Sequence, residues 1–284
     1  MHDDTVRLTA PAKLTLSLHI TGVRSDGLHL LDAEMVSIDL ADELTFSPGT
    51  GISVEDDVAG GLGVGRVPVG AHNLVARALE AVGRRAAVRL RKRIPAGAGL
   101  GGGSSDAAAV LRWAGVSDLD TALRLGSDVP FCVRGGRARV RGVGEVVDAL
   151  AFEPRAFFVL LCPLSVDTAS VYAAYDERAR RDGHDRDAPG GDGDADASGN
   201  HLEAAALEVE PALARWRDRL GAHTGRRPRL AGSGSAWFVE CEPGELPDAA
   251  SEPEVLETED GRGVVMAART VSGADASPRG QATA

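Results

Sequence analysis

The stretch richest in chemistry is Pro95-Ala96-Gly97-Ala98-Gly99-Leu100-Gly101-Gly102-Gly103-Ser104-Ser105-Asp106, where five of the seven residues 97–103 are glycine. Glycines let a backbone curl until several N–H groups point at one spot. Ser104 or Ser105 is expected to cap a helix from Asp106 to about Trp113, whose first turn adds unpaired N–H groups and a positive dipole end. Together these features make a site for phosphate. A Walker loop is excluded, because no Gly-Lys-Ser/Thr occurs here. The dinucleotide spacing G-x-G-x-x-G does occur, at Gly97, Gly99 and Gly102. Its first strand should be buried on both faces and continuously apolar. Here Val88 and Leu90 alternate with Arg89 and Arg91, which fits an antiparallel strand with one wet face.

Only two lysines, Lys13 and Lys92, stand among 31 cations, so arginine is the default positive charge. A lysine in such a chain needs a reason. Lys13, in Pro11-Ala12-Lys13, offers a compact ammonium suited to a phosphate. Lys92, in Arg91-Lys92-Arg93, reads as a solvated charge. Taken alone, Asp128 reads as a turn aspartate, His29 as a loop histidine and Tyr172 as a core aromatic on a helix.

The elements that must position these groups follow from pattern. Val6 to Ala10 and Leu14 to Ile20 read as strands around Pro11, with further strands at Ala33 to Leu40, Leu44 to Ser47 and, weaker, Ile52 to Glu55. Gly60 to Gly70 reads as a loop. Asn73 to Val82 has helical period, closed by Gly83. Val88 to Ile94 alternates. Leu119 to Leu125 and Thr168 to Arg180 read as helices. Phe131 to Val133, Arg137 to Arg141 and Phe157 to Cys162 read as strands. Glu203 to Glu210 and Pro211 to Leu220 are helix candidates, followed by strands at Ala236 to Glu240 and Val264 to Val271. Mixed elements without regular alternation favour an α+β fold.

Composition limits the function. Hydrophobic residues make up 43% and charged residues 26% of 284, which is globular usage. The net charge of −11 counts against a nucleic-acid binder. Asp182 to Gly199 holds six aspartates and one arginine, a net of −5, and reads as a disordered acidic excursion. Its Asp192, Asp194 and Asp196 have calcium-loop spacing, with Glu203 at the twelfth position, but Ala197 replaces the turn glycine. Cys132, Cys162 and Cys241 form no CxxC pair and read as buried thiols of a cytoplasmic protein. No apolar run spans a bilayer, and no apolar targeting core follows Met1-His2-Asp3-Asp4, so neither membrane nor secretory export is expected.

Four motifs occur in order: Pro11-Ala12-Lys13, the glycine loop, Leu125-Gly126-Ser127-Asp128-Val129-Pro130-Phe131, and Gly232-Ser233-Gly234-Ser235. In them the chain resembles the GHMP superfamily of small-molecule kinases. Thr21-Gly22-x-Arg24-x-Asp26-Gly27-Leu28-His29 is most similar to the isoprenoid-pathway branch, whose acceptor is the 2-hydroxyl of a methylerythritol carrying a diphosphocytidyl group. The resemblance runs from about residue 8 to 240. It implies a two-domain GHMP kinase fold: residues 1–150 ribosomal-protein-S5-domain-2-like, residues 151–284 ferredoxin-like, with the active site in the cleft between them. It implies ATP with Mg²⁺, no nucleic acid or membrane partner, and a monomer or weak homodimer.

Residue roles come from the same resemblance. Asp128 would take the hydroxyl proton. Lys13, beside it, would keep that carboxylate ionised and offset charge on the transferring group. Pro95, Gly97, Gly99, Leu100, Gly101, Gly102, Gly103, Ser104 and Ser105 would hold the ATP phosphates, and the Mg²⁺ ligands stay open. His29 would hydrogen-bond the cytosine edge, with Tyr172 stacking on the base and Thr15 and Thr168 near the acceptor. Two positions depart from the family pattern: Leu28 stands where Tyr is usual, and Thr15 where Asn is usual. A GHMP kinase with another acceptor and a non-catalytic nucleotide binder are the alternatives.

Overall fold

A computed structural model describes residues 5–63, 65, 67–68, 70–182, 199–247 and 252–273. Strands β1 (Val6–Val23) and β2 (His29–Ser47) form one long antiparallel hairpin. In sequence each reads as shorter pieces. In β1 the difference lies at Pro11, which is absorbed by a β-bulge between Pro11 and Lys13 instead of ending the strand. A second bulge lies between Thr15 and Ser17. The bulges switch which face carries the apolar residues. Leu8, Ala10, Leu18 and Ile20 enter one core, whereas Ala12, Leu14 and Leu16 enter the other. Lys13 and Thr15 are therefore turned away from the second core, toward the glycine loop.

The first sheet is completed by β3 (Gly51–Asp56), β4 (Ala87–Lys92), β5 (Arg137–Gly142) and β6 (Val146–Ala149). Its order is β3-β4-β2-β5-β6, with β1 paired to β2. The strand before the glycine loop is antiparallel to β2, as its alternation predicts, but parallel to β3. Helices α1 (Leu74–Ala81), α2 (Gly102–Trp113), α3 (Leu119–Leu125) and α4 (Val129–Arg134) pack with this sheet, α2 lying against β1, α1 and α4. Phe131 to Val133 is thus helical, not a strand. Three apolar residues carry no usable period, and Pro130 in the first turn starts a helix readily.

The second sheet is antiparallel: β7 (Ala156–Leu161), β8 (Arg229–Leu230), β9 (Trp237–Cys241), β10 (Glu254–Thr258) and β11 (Gly261–Arg269), in the order β10-β11-β7-β9-β8. Helices α5 (Thr168–Arg181), α6 (Glu203–Val209) and α7 (Ala212–Thr224) accompany it. Strands β6 and β10 are short and bury one residue each, Val147 and Leu256, which leaves too little apolar pattern to mark a strand in sequence. A core of Leu14, Leu16, Ile38, Leu100, Phe157, Val159 and Phe238 joins the two sheets beneath the glycine loop. All three cysteines are buried free thiols, and burial pushes Cys132 up to about 12.

Most of the acidic excursion, with Asp192, Asp194 and Asp196, lies outside the described residues, as does the tail after Gly273. Its far end is anchored: Gly199 accepts a hydrogen bond from Leu18 N (2.9 Å), and Glu203, buried, accepts from Leu230 N (3.2 Å). Among the described residues no helix is long and apolar enough to cross a membrane.

Candidate active site

Lys13 is 6% exposed and stands on the bulged stretch of β1. Its ammonium lies 3.5 Å from Asp128 Oδ2 and donates to Thr15 Oγ1 at 3.2 Å. Asp128 precedes α4, and its side chain makes no capping bond to that helix. Its carboxylate is 30% exposed, so it is paired yet open to a ligand. Residues far apart in sequence are brought together by two contacts. Lys13 N donates to Leu100 O (3.0 Å), and Ser105 Oγ donates to Pro11 O (2.6 Å).

The glycine loop approaches this pair closely. A Cβ at Gly101 would lie 2.7 Å from Lys13 Cγ, so only glycine lets the loop pass the lysine stem. Gly101 is also the N-cap of α2, with φ of 66°. The helix therefore starts at Gly102, earlier than expected, and neither Ser104 nor Ser105 caps it. The first N–H groups are left to a ligand, which suits phosphate better than a serine cap does. On its other side the loop is sewn to the second sheet. Ser235 N donates to Gly97 O (3.2 Å) and Ala236 N to Ala98 O (3.0 Å).

These parts surround a cavity of about 390 Å³. Pro95, the loop from Gly97 to Ser104, Lys13, Asp128, Thr168 and Tyr172 line it, joined by Asn73, Gly232 and Ser233. Ser105 does not line it, being 1% exposed and bonded to Pro11. Thr168 Oγ1 lies 3.0 Å from Ser233 Oγ. Asn73 is the N-cap of α1, accepting from Val75 N at 2.8 Å and donating to Pro68 O at 3.0 Å. Asn200, a polar residue with no motif around it in sequence, donates its amide to Leu230 O (3.1 Å) and Gly232 O (2.7 Å), holding the serine-glycine turn.

Lys92 departs most from expectation. It is 3% exposed, not solvated, and its ammonium pairs with Asp42 and with Asp106 Oδ2 at 2.8 Å. Burial alone would lower its pKa, but the two carboxylates hold it above the ordinary value. Burial raises Asp106 from 3.8 to about 7, against the pull of Lys92 and with a push from Asp42. The folded chain thus holds a proton on Asp106 that the unfolded chain releases near pH 3.8. The stabilisation this supplies is complete below that value and lost as pH rises through about 7. Asp106→Asn should remove this slope. Relative to that variant, the wild-type melting temperature is expected to fall between about pH 4 and pH 7. Parallel pH profiles for the two proteins would contradict the assignment.

His29 lies outside the cavity lining but touches it through Tyr172. Its Nε2–H donates to Asp176 Oδ1 at 2.7 Å, which fixes the ring and its tautomer. The Tyr172 ring lies 4.7 Å from the imidazole, tilted by 34°. One face of Tyr172 is therefore already occupied by His29. Burial, and after it Asp128, raises the Tyr172 phenol, which stays neutral. Leu28, in place of an aromatic, is 49% exposed.

Several known proteins are similar to this chain. The family of GHMP kinases N terminal domains matches residues 69–136. The 4-diphosphocytidyl-2-C-methyl-D-erythritol kinase of Cereibacter sphaeroides is 38% identical over 244 residues, covering 81% of this chain and 87% of that one. A crystal structure of 4-(cytidine 5'-diphospho)-2C-methyl-D-erythritol kinase superposes with a TM-score of 0.64 at 33% identity, covering 94% of this chain and 100% of the other. Mevalonate-3-kinase from Thermoplasma acidophilum shares the fold, with a TM-score of 0.53 at 12% identity over 96% of this chain and 97% of that one.

Proposed function

Since the chain belongs to the 4-diphosphocytidyl-2-C-methyl-D-erythritol kinase family of the GHMP superfamily, we propose that it transfers the γ-phosphoryl group of ATP to the 2-hydroxyl of 4-diphosphocytidyl-2-C-methyl-D-erythritol, in the methylerythritol phosphate route to isoprenoids. The observation that carries this reading is the Lys13–Asp128 pair, 3.5 Å apart, at a cavity walled by the glycine loop. Phosphoryl transfer needs positioning and charge stabilisation more than covalent help. The Asp128 carboxylate accepts the acceptor's hydroxyl proton, and Lys13 stabilises negative charge on the transferring group. The backbone of residues 97–104, with the N-terminus of α2, binds the phosphates.

The Ser104 hydroxyl at the cavity is a hard oxygen donor that fits Mg²⁺ and would hold it together with the ATP phosphates. The ion would supply neutralisation of phosphate charge there.

The change of sheet between β6 and β7 supports domains at 1–150 and 151–284, the first ribosomal-protein-S5-domain-2-like and the second ferredoxin-like. Buried thiols support a cytoplasmic location.

His29, locked by Asp176 beside Tyr172, reads the cytosine edge. A site built around one base's hydrogen bonds rejects the other, so cytidine diphosphate should compete with the acceptor at least about tenfold better than uridine diphosphate. Equal competition by the two nucleotides would remove the cytosine reading and favour another acceptor.

A further inference from the structure

We propose that Lys92, Asp42 and Asp106 form a positioning device for the phosphate-binding loop, tying the strand that enters the loop to the helix that leaves it. The proposal rests on the kinase reading of the site. Lys92 ends β4, three residues before Pro95. Asp106 sits in α2, just beyond the loop. The Lys92 ammonium bonds both Asp106 and Asp42. Asp42, on β2, also accepts from Arg93 N (2.6 Å) and Ile94 N (2.9 Å), pinning the two residues that lead into Pro95. Both ends of the loop are thereby fixed against one strand of the sheet.

The location points to function beyond packing. Lys92 and Asp106 line the same cavity as Lys13 and the glycine loop. A Cβ at Gly102, the first helical residue, would lie 3.2 Å from Lys92 Nζ, so the ammonium stands against the first turn of α2. Asp106 Oδ1 is buried without a hydrogen-bond partner, so the Lys92 ammonium is what holds this carboxyl in place. Replacing a whole buried ion cluster by apolar groups is often neutral for stability, whereas removing one partner is destabilising. A loop released at either end would misplace its donors, and displacements near 1 Å cost about 100-fold in well-oriented sites.

The test is steady-state kinetics of the full chain with ATP, Mg²⁺ and the diphosphocytidyl acceptor. Lys92→Met and Asp106→Leu are each expected to raise the KM for ATP by about tenfold or more, with the acceptor KM within about twofold. Asp106→Asn keeps an acceptor for Lys92 and should rescue, staying within about threefold of wild type. A structural role alone would lower the melting temperature and leave both KM values unmoved. If the single changes fail to fold, the double variant Lys92→Met/Asp106→Leu leaves no unpaired ammonium and keeps Asp42 bonded to backbone. A folded variant with wild-type ATP KM overturns the proposal, and so does failure of all three to fold, which assigns the cluster to folding alone. A wild-type chain that binds no ATP overturns the kinase reading and the brace with it. Binding in the wild type and in the variants alike overturns the brace only.

Discussion

Replacing Asp128 by asparagine is expected to lower kcat by about 1,000-fold, while ATP binding stays within about threefold. The substitution keeps volume and shape and removes the ability to take a proton. It should not disturb the fold, because the Asp128 side chain makes no capping bond to α4 and is 30% exposed. The Lys13 ammonium, 3.5 Å away, would lose its charged partner but keep its bond to Thr15 Oγ1. ATP should therefore still find the glycine loop and the lysine. Rates of ADP release and calorimetric titration with ATP read the two quantities separately. Turnover within tenfold of wild type would remove Asp128 from the proton transfer.

Gly99→Ala is expected to destabilise the chain by at least ~3 kcal/mol, or to prevent soluble folding. Gly99 has φ of 75°, which an L side chain rarely adopts, and its added Cβ would lie 2.1 Å from Ala231 O and 2.7 Å from Gly234 O. Those are backbone atoms of the turn that pairs with the loop through Ser235 and Ala236, so neither can swing aside. The clash would pry apart the two sheets at the cleft. Gly103→Ala is the control: its Cβ would make an ordinary contact, 3.5 Å from Leu74 Cδ1, at a helical position. Urea unfolding of both variants measures the contrast. A Gly99→Ala midpoint equal to that of Gly103→Ala would show that the loop is looser than its contacts indicate.

The parts of the site that were legible in the sequence are those carried by local pattern. The glycine run before a helix and the rarity of lysine mark the loop and Lys13, which the structure brings to one cavity. The same rarity marked Lys92, yet its arginine neighbours suggested solvent. Arg91 and Arg93 do reach outward to Asp57, at 2.9 and 2.8 Å, while Lys92 turns inward. Strand alternation holds that answer, since residues 88, 90 and 92 share a face and Val88 and Leu90 are buried. Long-range pairing was not legible. His29 meets Asp176 across 147 residues, and Asp42 meets Lys92 across 50. Pro11 misled in the opposite direction, because a bulge keeps β1 continuous where local chemistry says stop. Ser104 and Ser105 show how a good cap sequence can be overridden when a glycine at Gly101 starts the helix earlier.

The most direct measurement is ADP release by the purified chain with ATP, Mg²⁺ and 4-diphosphocytidyl-2-C-methyl-D-erythritol, with homoserine, mevalonate and galactose as rival acceptors. The predicted result is turnover on the cytidyl acceptor alone, which would show that Leu28 and Thr15 are tolerated. ATP binding without that turnover, or turnover on a rival, would contradict the account and make Leu28 the first residue to restore to an aromatic.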